Sequence, residues 1–363
     1  MNQPARQSEP PPEDQENWAS IHVYYHEATG RSVRGFVYPL VTNLAKEGSI
    51  TGFFFIRHGL GGPHIRLRLR PVAGAREHIL DRMAHFARTF LTREPSMRSL
   101  PSDAIQSSNT AILKADPHEI DDSVYPDNSY HVAPFRPEIG RYGGPGRYGL
   151  SLDYFTLSSV AAVAFHLRFG DAARSVVLAQ AHRLLLRQAL GFASGEDELA
   201  DLLRYGVDWM GRDLPKVVEK GNEVARSRME HFLEILACDL AAARAVRTPA
   251  GAPDLSPLGL LLTGAGRLSA ALGLANRETR LRIGASQLHM TASRLGLTHP
   301  EEVYLSCILT RTLGKACSGA GCAFSWPWEA VVGQAAEESA GELRQLLPHA
   351  LVSLATLPGD GGR

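Results

Sequence analysis

The stretch Phe53-Phe-Phe-Ile-Arg-His-Gly-Leu-Gly-Gly-Pro-His-Ile-Arg-Leu-Arg-Leu-Arg70 constrains the fold more than any other part of the chain. From His64 onward polar and apolar residues alternate strictly. In a strand, side chains two apart share a face, which puts His64, Arg66, Arg68 and Arg70 on one side and Ile65, Leu67 and Leu69 on the other. Gly59-Leu-Gly-Gly-Pro63 supplies the turn of a β-hairpin. One face joins a core and the other is a row of cations. Like charges on one strand face repel, so such a row calls for carboxylates or an anionic ligand, unless it is a solvated sheet edge. Arginine throughout, without lysine, suits bidentate capture of carboxylate or phosphate.

Around this hairpin the first part of the chain reads as mixed structure. Residues 1–16 are rich in proline and charge and lack periodicity, which predicts a disordered tail. Ile21-His-Val-Tyr-Tyr reads as a strand. Val33, Phe36, Val37, Leu40, Val41 and Leu44 recur at helical spacing up to Gly48, with Pro39 expected to kink that helix. Ile79, Met83, Phe86 and Phe90 mark a second helix. Residues 95–110 read as loop, Thr110–Lys114 as a weak strand and Ser129–Ala133 as a better one.

From about Ser151 leucine, alanine and arginine dominate. Helical periodicity runs through 151–168, 171–192, 196–206, 215–246, 256–275, 278–296, 299–316 and 326–347. The fold class is therefore α+β: an N-terminal, mainly antiparallel sheet with flanking helices, packed against a helix-rich C-terminal half. Residues 17–350 are expected to form the functional domain, its sheet-containing part over about 17–150 and its helical part over about 151–350.

Composition excludes several function classes. Acidic and basic residues number 38 each, so no global excess marks a nucleic-acid or anionic-membrane binder. There is no run of about 18 apolar residues and no apolar stretch behind the N-terminus to serve as a signal peptide, which points to a cytoplasmic protein without a membrane partner. Four cysteines in 363 residues are not a disulfide scaffold, and Cys317 and Cys322 have no second pair at metal-ligand spacing. His22 and His26 resemble a metal pair, yet on a strand they stand roughly 13 Å apart. No metalloprotease, nucleophile-elbow or phosphate-loop motif is present.

Two other segments are candidates for chemistry. Pro137-Glu-Ile-Gly-Arg-Tyr-Gly-Gly-Pro-Gly146 carries glycines suited to a loop that presents Glu138 and Arg141, either into a cleft or as a surface ion pair. Arg282, Ser286, His289 and Ser293, spaced four, three and four, make a polar stripe on a helix beside Leu281, Leu288, Ala292 and Leu295.

With these pieces laid out, the chain resembles the thiopeptide-type bacteriocin biosynthesis family, the small component or C-terminal glutamate-elimination domain of lantibiotic dehydratases. The matching pieces are Trp18 with Ile21–His26, Phe54–Arg57 with Gly62–Arg68, Pro137–Gly144, and Leu288-His-Met-x-x-Ser-Arg294, in the family's order from about residue 18 to 300. The resemblance implies elimination of glutamate from glutamylated Ser or Thr of a ribosomal precursor peptide, leaving dehydroalanine or dehydrobutyrine. It places the elimination residues on His289, Arg66, Arg68, Arg141 and Glu138, and five polar groups from three distant segments are expected to converge on one cleft between sheet and helical layer. Arg57, His64 and Arg294 are expected to bind substrate.

Two departures stand out: Ser293 replaces the motif's asparagine, and Thr291 stands where some members have a second histidine. No metal and no cofactor is implied. The partners implied are the leader and core of the precursor peptide and a separate glutamyl-tRNA-dependent glutamylating component; direct nucleic-acid binding is not expected. Within the family the alternative is a pyridine synthase, joining two dehydroalanines by a formal aza-cycloaddition and releasing the leader. Outside enzymes, it is a leader-peptide-binding subunit.

Overall fold

Alternating β-branched and aromatic residues build a four-stranded antiparallel sheet early in the chain, and almost everything after it is helix. The computed structural model describes residues 18–98, 100–115, 123–245, 254–273, 277–317 and 336–357. The expected tail, residues 1–16, lies outside them. The chain divides into two compact units, Met1–Gly149 and Leu150–Arg363.

In the first unit, β1 (Ala19–Tyr24), β2 (Ile50–His58), β3 (His64–Pro71) and β4 (Ser129–Val132) lie in the order β2-β3-β1-β4. The arginine-bearing strand is thus internal, paired with β2 on one side and β1 on the other. The hairpin turn depends on Gly61, at φ 81°. A Cβ there would meet the Tyr125 ring at 2.7 Å and the Ser123 carbonyl at 2.9 Å, so only glycine fits both the backbone and the space.

Ala19, Ile21, Val23, Phe53, Phe55, Ile65, Leu67 and Leu69 fall on one sheet face and are buried. Helix α1, a continuous helical segment over residues 29–46, packs on β2, and α2 (Arg76–Arg93) packs on β1, β3 and β4. All six apolar residues read as the stripe of α1 are fully buried.

Helix α1 departs from expectation at its middle. It runs Thr29–Ser32 as α-helix, Val33–Val37 as a π-helical turn, and Tyr38–Lys46 as α-helix again. Pro39 lacks the N–H that would close a bond to Gly35. The wider turn directly before it absorbs the missing bond and the ring.

The loop expected over 95–110 holds only as far as 101, and the strand over Thr110–Lys114 is corrected: Ser102–Ala115 is a helix, α3. Ala111-Ile-Leu is too short a run to set a period, whereas Ile105, Asn109 and Ile112 share a helical face. The buried Asn109 carboxamide accepts a hydrogen bond from Gly61 N–H at 2.8 Å, tying α3 to the hairpin turn.

Helix α4 (Pro145–Phe169) starts at the end of the first unit and continues into the second, which also contains α5 (Arg174–Phe192), α6 (Glu196–Met210), α7 (Pro215–Ser227), α8 (Met229–Ala245), α9 (Pro257–Leu272), α10 (Arg277–Arg294), α11 (His299–Cys317) and α12 (Ala336–Thr356). Helix α4 begins six residues earlier than its periodicity suggests, with Pro145 pre-set for a first turn. It is long and apolar enough to cross a membrane by composition, yet 89% of its most apolar window is buried, as in a core helix.

The single helix expected over 215–246 is two. Arg228 leaves helical geometry at φ −125°, ψ 27°, with no Gly or Pro to announce it. Helix α12 continues through Pro348, and the earlier part of the stretch expected as 326–347 lies outside the described residues. Close packing of α9 on α5 depends on Gly191, where a Cβ would meet the Leu262 carbonyl at 2.5 Å. Cys307 is buried and free, its thiol pushed up to about 11 by burial, and Cys238 is exposed and free. Cys322 lies outside the described residues.

Candidate functional site

Strand register assembles the first polar group. The face opposite the helices carries Ser20, His22 and Tyr24 from β1, His64, Arg66, Arg68 and Arg70 from β3, Phe54, Ile56 and His58 from β2, and His131 from β4. The alternation read in the sequence is therefore the alternation of the sheet. What single-strand reading missed is the histidine cluster. His22 stacks against His64 at 5.2 Å and approaches His131 at 5.0 Å, His58 lies 5.5 Å from His64, and Tyr24 and Tyr125 stack into the same group at 4.6 Å.

His22 pairs with Arg66 and His131 across strands, so its neighbours are set by long-range pairing and not by His26 four residues on. Burial, reinforced by neighbouring arginines, holds His22, His58 and His64 well below the ordinary histidine range, and they are neutral. Among the described residues no group of three or more His, Cys, Asp or Glu side chains could hold a metal ion.

His64 shows how the face is locked. Its Nδ1–H donates to the Gly62 carbonyl at 2.8 Å, leaving Nε2 to accept from Arg66 Nε–H at 3.1 Å. One neutral tautomer satisfies both bonds, and the residue expected to bind substrate also orients the arginine beside it. Arg68 is buried between two rings, its guanidinium carbon 5.2 Å from the centre of Phe54 and 4.9 Å from that of Phe135. Trp18 closes this aromatic group, 5.2 Å from Phe54, and Arg70 lies over Trp18 while bonding to Thr51. Arg57 pairs with Ile65, which places it on the helix-covered face, apart from Arg66 and Arg68.

Phe135 leads into the glycine-rich segment. Ile139–Tyr142 is a single 3-10 turn ended by Gly143 and Gly144, both at positive φ. The turn brings Arg141 Nη1 within 2.9 Å of Glu138 Oε2, an ion pair at half-buried side chains. The structure thus joins Glu138 to Arg141, and Arg68 to the segment that precedes them.

In the second unit, His289 lies on α10. Its Nδ1–H donates to Glu302, with the carboxylate oxygens at 2.9 and 3.2 Å. Glu302 is 5% exposed while the His289 side chain is 27% exposed, so a buried carboxylate holds an accessible imidazole. Trp209 of α6, 53% exposed, meets the ring edge-on at 5.9 Å.

Gly296, at φ 74°, ends α10 with Leu297 N–H bonded to the Ala292 carbonyl, and this reversal returns α11 to His289. The expected polar stripe is only partly a surface: Arg282 is exposed, His289 and Ser293 are half-buried, and Ser286 is buried. Arg294, the other residue expected to bind substrate, is fully buried. Its guanidinium sits 4.8 Å from the centre of Phe155 and bonds Ser158 Oγ at 3.0 Å, while its carbonyl lies 2.8 Å from His166 Nε2. Glu302 and Trp209 were missed because one follows thirteen residues later and the other stands eighty earlier. The signal available was Gly296 before Pro300-Glu-Glu302, a tight helix-to-helix turn that brings an acidic first turn back past the histidine.

An arginine-bearing antiparallel sheet followed by a helical unit with a carboxylate-held histidine puts this chain among α+β proteins with a helix-rich C-terminal half. The sequence model described as lantibiotic biosynthesis dehydratase C-term matches residues 18–313, and the chain belongs to that family.

No curated protein matches the sequence. Among solved structures, the pyridine synthase TbtD from thiomuracin biosynthesis shares the fold at TM-score 0.65 and 20% identity, over 82% of this chain and 97% of that one. The tRNA-dependent lantibiotic dehydratase MibB from Microbispora sp. 107891 does so at TM-score 0.50 and 16% identity, over 85% of this chain and 29% of that one.

Proposed function

We propose that this protein eliminates glutamate from glutamylated Ser or Thr residues of a ribosomal precursor peptide, a separate glutamyl-tRNA-dependent component having made the ester. The observation that carries this reading is the His289–Glu302 pair: an accessible imidazole whose Nδ1 proton is committed to a buried carboxylate has Nε2 left to accept a proton. In the reaction Nε2 takes the α-proton of the esterified residue. The electron pair of the Cα–H bond becomes the Cα=Cβ double bond, and the Cβ–O bond breaks with its pair leaving on glutamate as a carboxylate. Negative charge developing on the peptide carbonyl and on the leaving carboxylate calls for fixed cations. Arg66, Arg68 and Arg141 are the groups we assign to that work, with Glu138 holding Arg141 through their ion pair. Arg66 is oriented by His64, and Arg68 is held between two rings.

The test is incubation of the protein with chemically glutamylated precursor. Each retained glutamate adds about 129 Da to the peptide and each completed elimination leaves it about 18 Da lighter, by covalent arithmetic. Lighter, dehydrated peptide supports the reading. A macrocycle with free leader would replace it with pyridine synthesis. Unchanged ester, together with leader binding that falls steeply with salt, would replace it with a docking subunit.

A further inference from the structure

Histidine can accept a proton at either ring nitrogen, and elimination needs one of them bare and aimed. We propose that Glu302 is a positioning residue that fixes His289 as the Nδ1–H tautomer and so makes Nε2 the proton-accepting atom. This deepens the elimination reading and rests on it. Both carboxylate oxygens lie within 3.2 Å of Nδ1, and a carboxylate can only accept, so the proton must sit on that nitrogen. Glu302 stands in the first turn of α11, where the positive end of the helix dipole favours its charge independently of substrate. Its burial keeps water from competing for the bond. Trp209 stands edge-to-face with the imidazole, ring centres 5.9 Å apart. When Nε2 takes the α-proton, the imidazolium forms beside an anion already in place. A mere tie between α10 and α11 needs none of this polarity.

The two roles separate on substitution. Glu302→Gln keeps the shape but lets an amide N–H face the ring, which favours the opposite tautomer with the proton on Nε2. Histidine ring nitrogen spectra of the full-length protein, with the His289 signal assigned by its loss in His289→Ala, read the tautomer directly. The parent should show Nδ1 protonated and Nε2 bare, and Glu302→Gln should shift the ring toward Nε2–H.

In the elimination assay Glu302→Gln should lower kcat by about 10²- to 10⁴-fold with little change in KM, as expected for misplacing a general base. Glu302→Asp, which retains the anion on a shorter arm, should recover part of the loss. A Glu302→Gln protein that melts normally, keeps the parent tautomer and keeps kcat within about threefold would overturn the proposal. Should the parent show the Glu302-dependent tautomer yet release no glutamate, the positioning role stands and the elimination reading fails.

Discussion

Acidification should loosen the sheet face well before it protonates ordinary carboxylates. His22, His58 and His64 are pushed below their ordinary value of 6.5, first by burial and then by charge from neighbours that include Arg66. Their folded pKa values lie below the unfolded ones. The stability this neutrality provides is complete above pH 6.5 and is lost as pH falls from there toward the folded values, because only the unfolded chain takes up protons in that window. At about pH 5.5, roughly one unit below the unfolded value, each such histidine costs about 1.4 kcal/mol, and the three together about 4 kcal/mol.

Spread over a unit of this size, that is a fall in Tm of roughly 8–16 °C between about pH 7.5 and about pH 5.5. Thermal unfolding of the full chain across that range measures it. The specific control is His22→Asn with His58→Asn, since a carboxamide oxygen in place of the His58 ring can still accept from the Leu60 N–H, which His58 Nδ1 now does at 3.2 Å. The double variant should remove roughly 3 kcal/mol of the pH dependence. A parent Tm flat over this range, or a double variant with the parent's full slope, would refute the claim that these imidazoles stay neutral in the folded chain.

His289→Ala and Arg68→Lys should each fold normally and slow glutamate loss by about 10²-fold or more, accumulating glutamyl ester; the combined variant should be barely worse than either, and additive losses would separate the two groups from one reaction. Arg294→Ala should destabilise the second unit by roughly 3 kcal/mol in a denaturant melt, through lost packing on Phe155, the lost bond to Ser158 Oγ and the cavity left behind, and a change under about 0.5 kcal/mol would contradict its reading as a core residue. Gly61→Ala should cost about 2 kcal/mol in the same assay, through positive φ and collision with Tyr125, and an unchanged midpoint would show that the hairpin turn can move aside.

Where local patterning and global packing agreed, the fold was legible in the chain. His64–Arg70 alternates because one face meets helices and the other does not, and the stripe from Val33 to Leu44 is buried because it covers the sheet. The readings that failed were local signals with two solutions. Thr110–Lys114 is too short to distinguish a strand from a turn of helix, and only the docking of Asn109 on Gly61 decides it. The break at Arg228 has no residue that demands it, and Pro39 is accommodated by a π turn directly before it.

The candidate site divides along the same line. Arg66, Arg68, Glu138, Arg141 and His289 are visible as residue types in pattern. Their supports include contacts that reach beyond one element: Phe135 on Arg68 and Glu302 on His289. His64 on Arg66 lies within one strand, but the tautomer that makes it a support depends on the Gly62 carbonyl in the turn. Residue spacing alone encodes none of these.

The central claim is that His289 removes the α-proton of an esterified residue and that this step expels glutamate. The most direct measurement is single-turnover glutamate release from a glutamylated precursor carrying deuterium at the esterified residue's α-carbon, compared with the protonated peptide. The account predicts slower release from the deuterated peptide with the parent protein and no measurable release from either peptide with His289→Ala. Release by His289→Ala at the parent rate would contradict it.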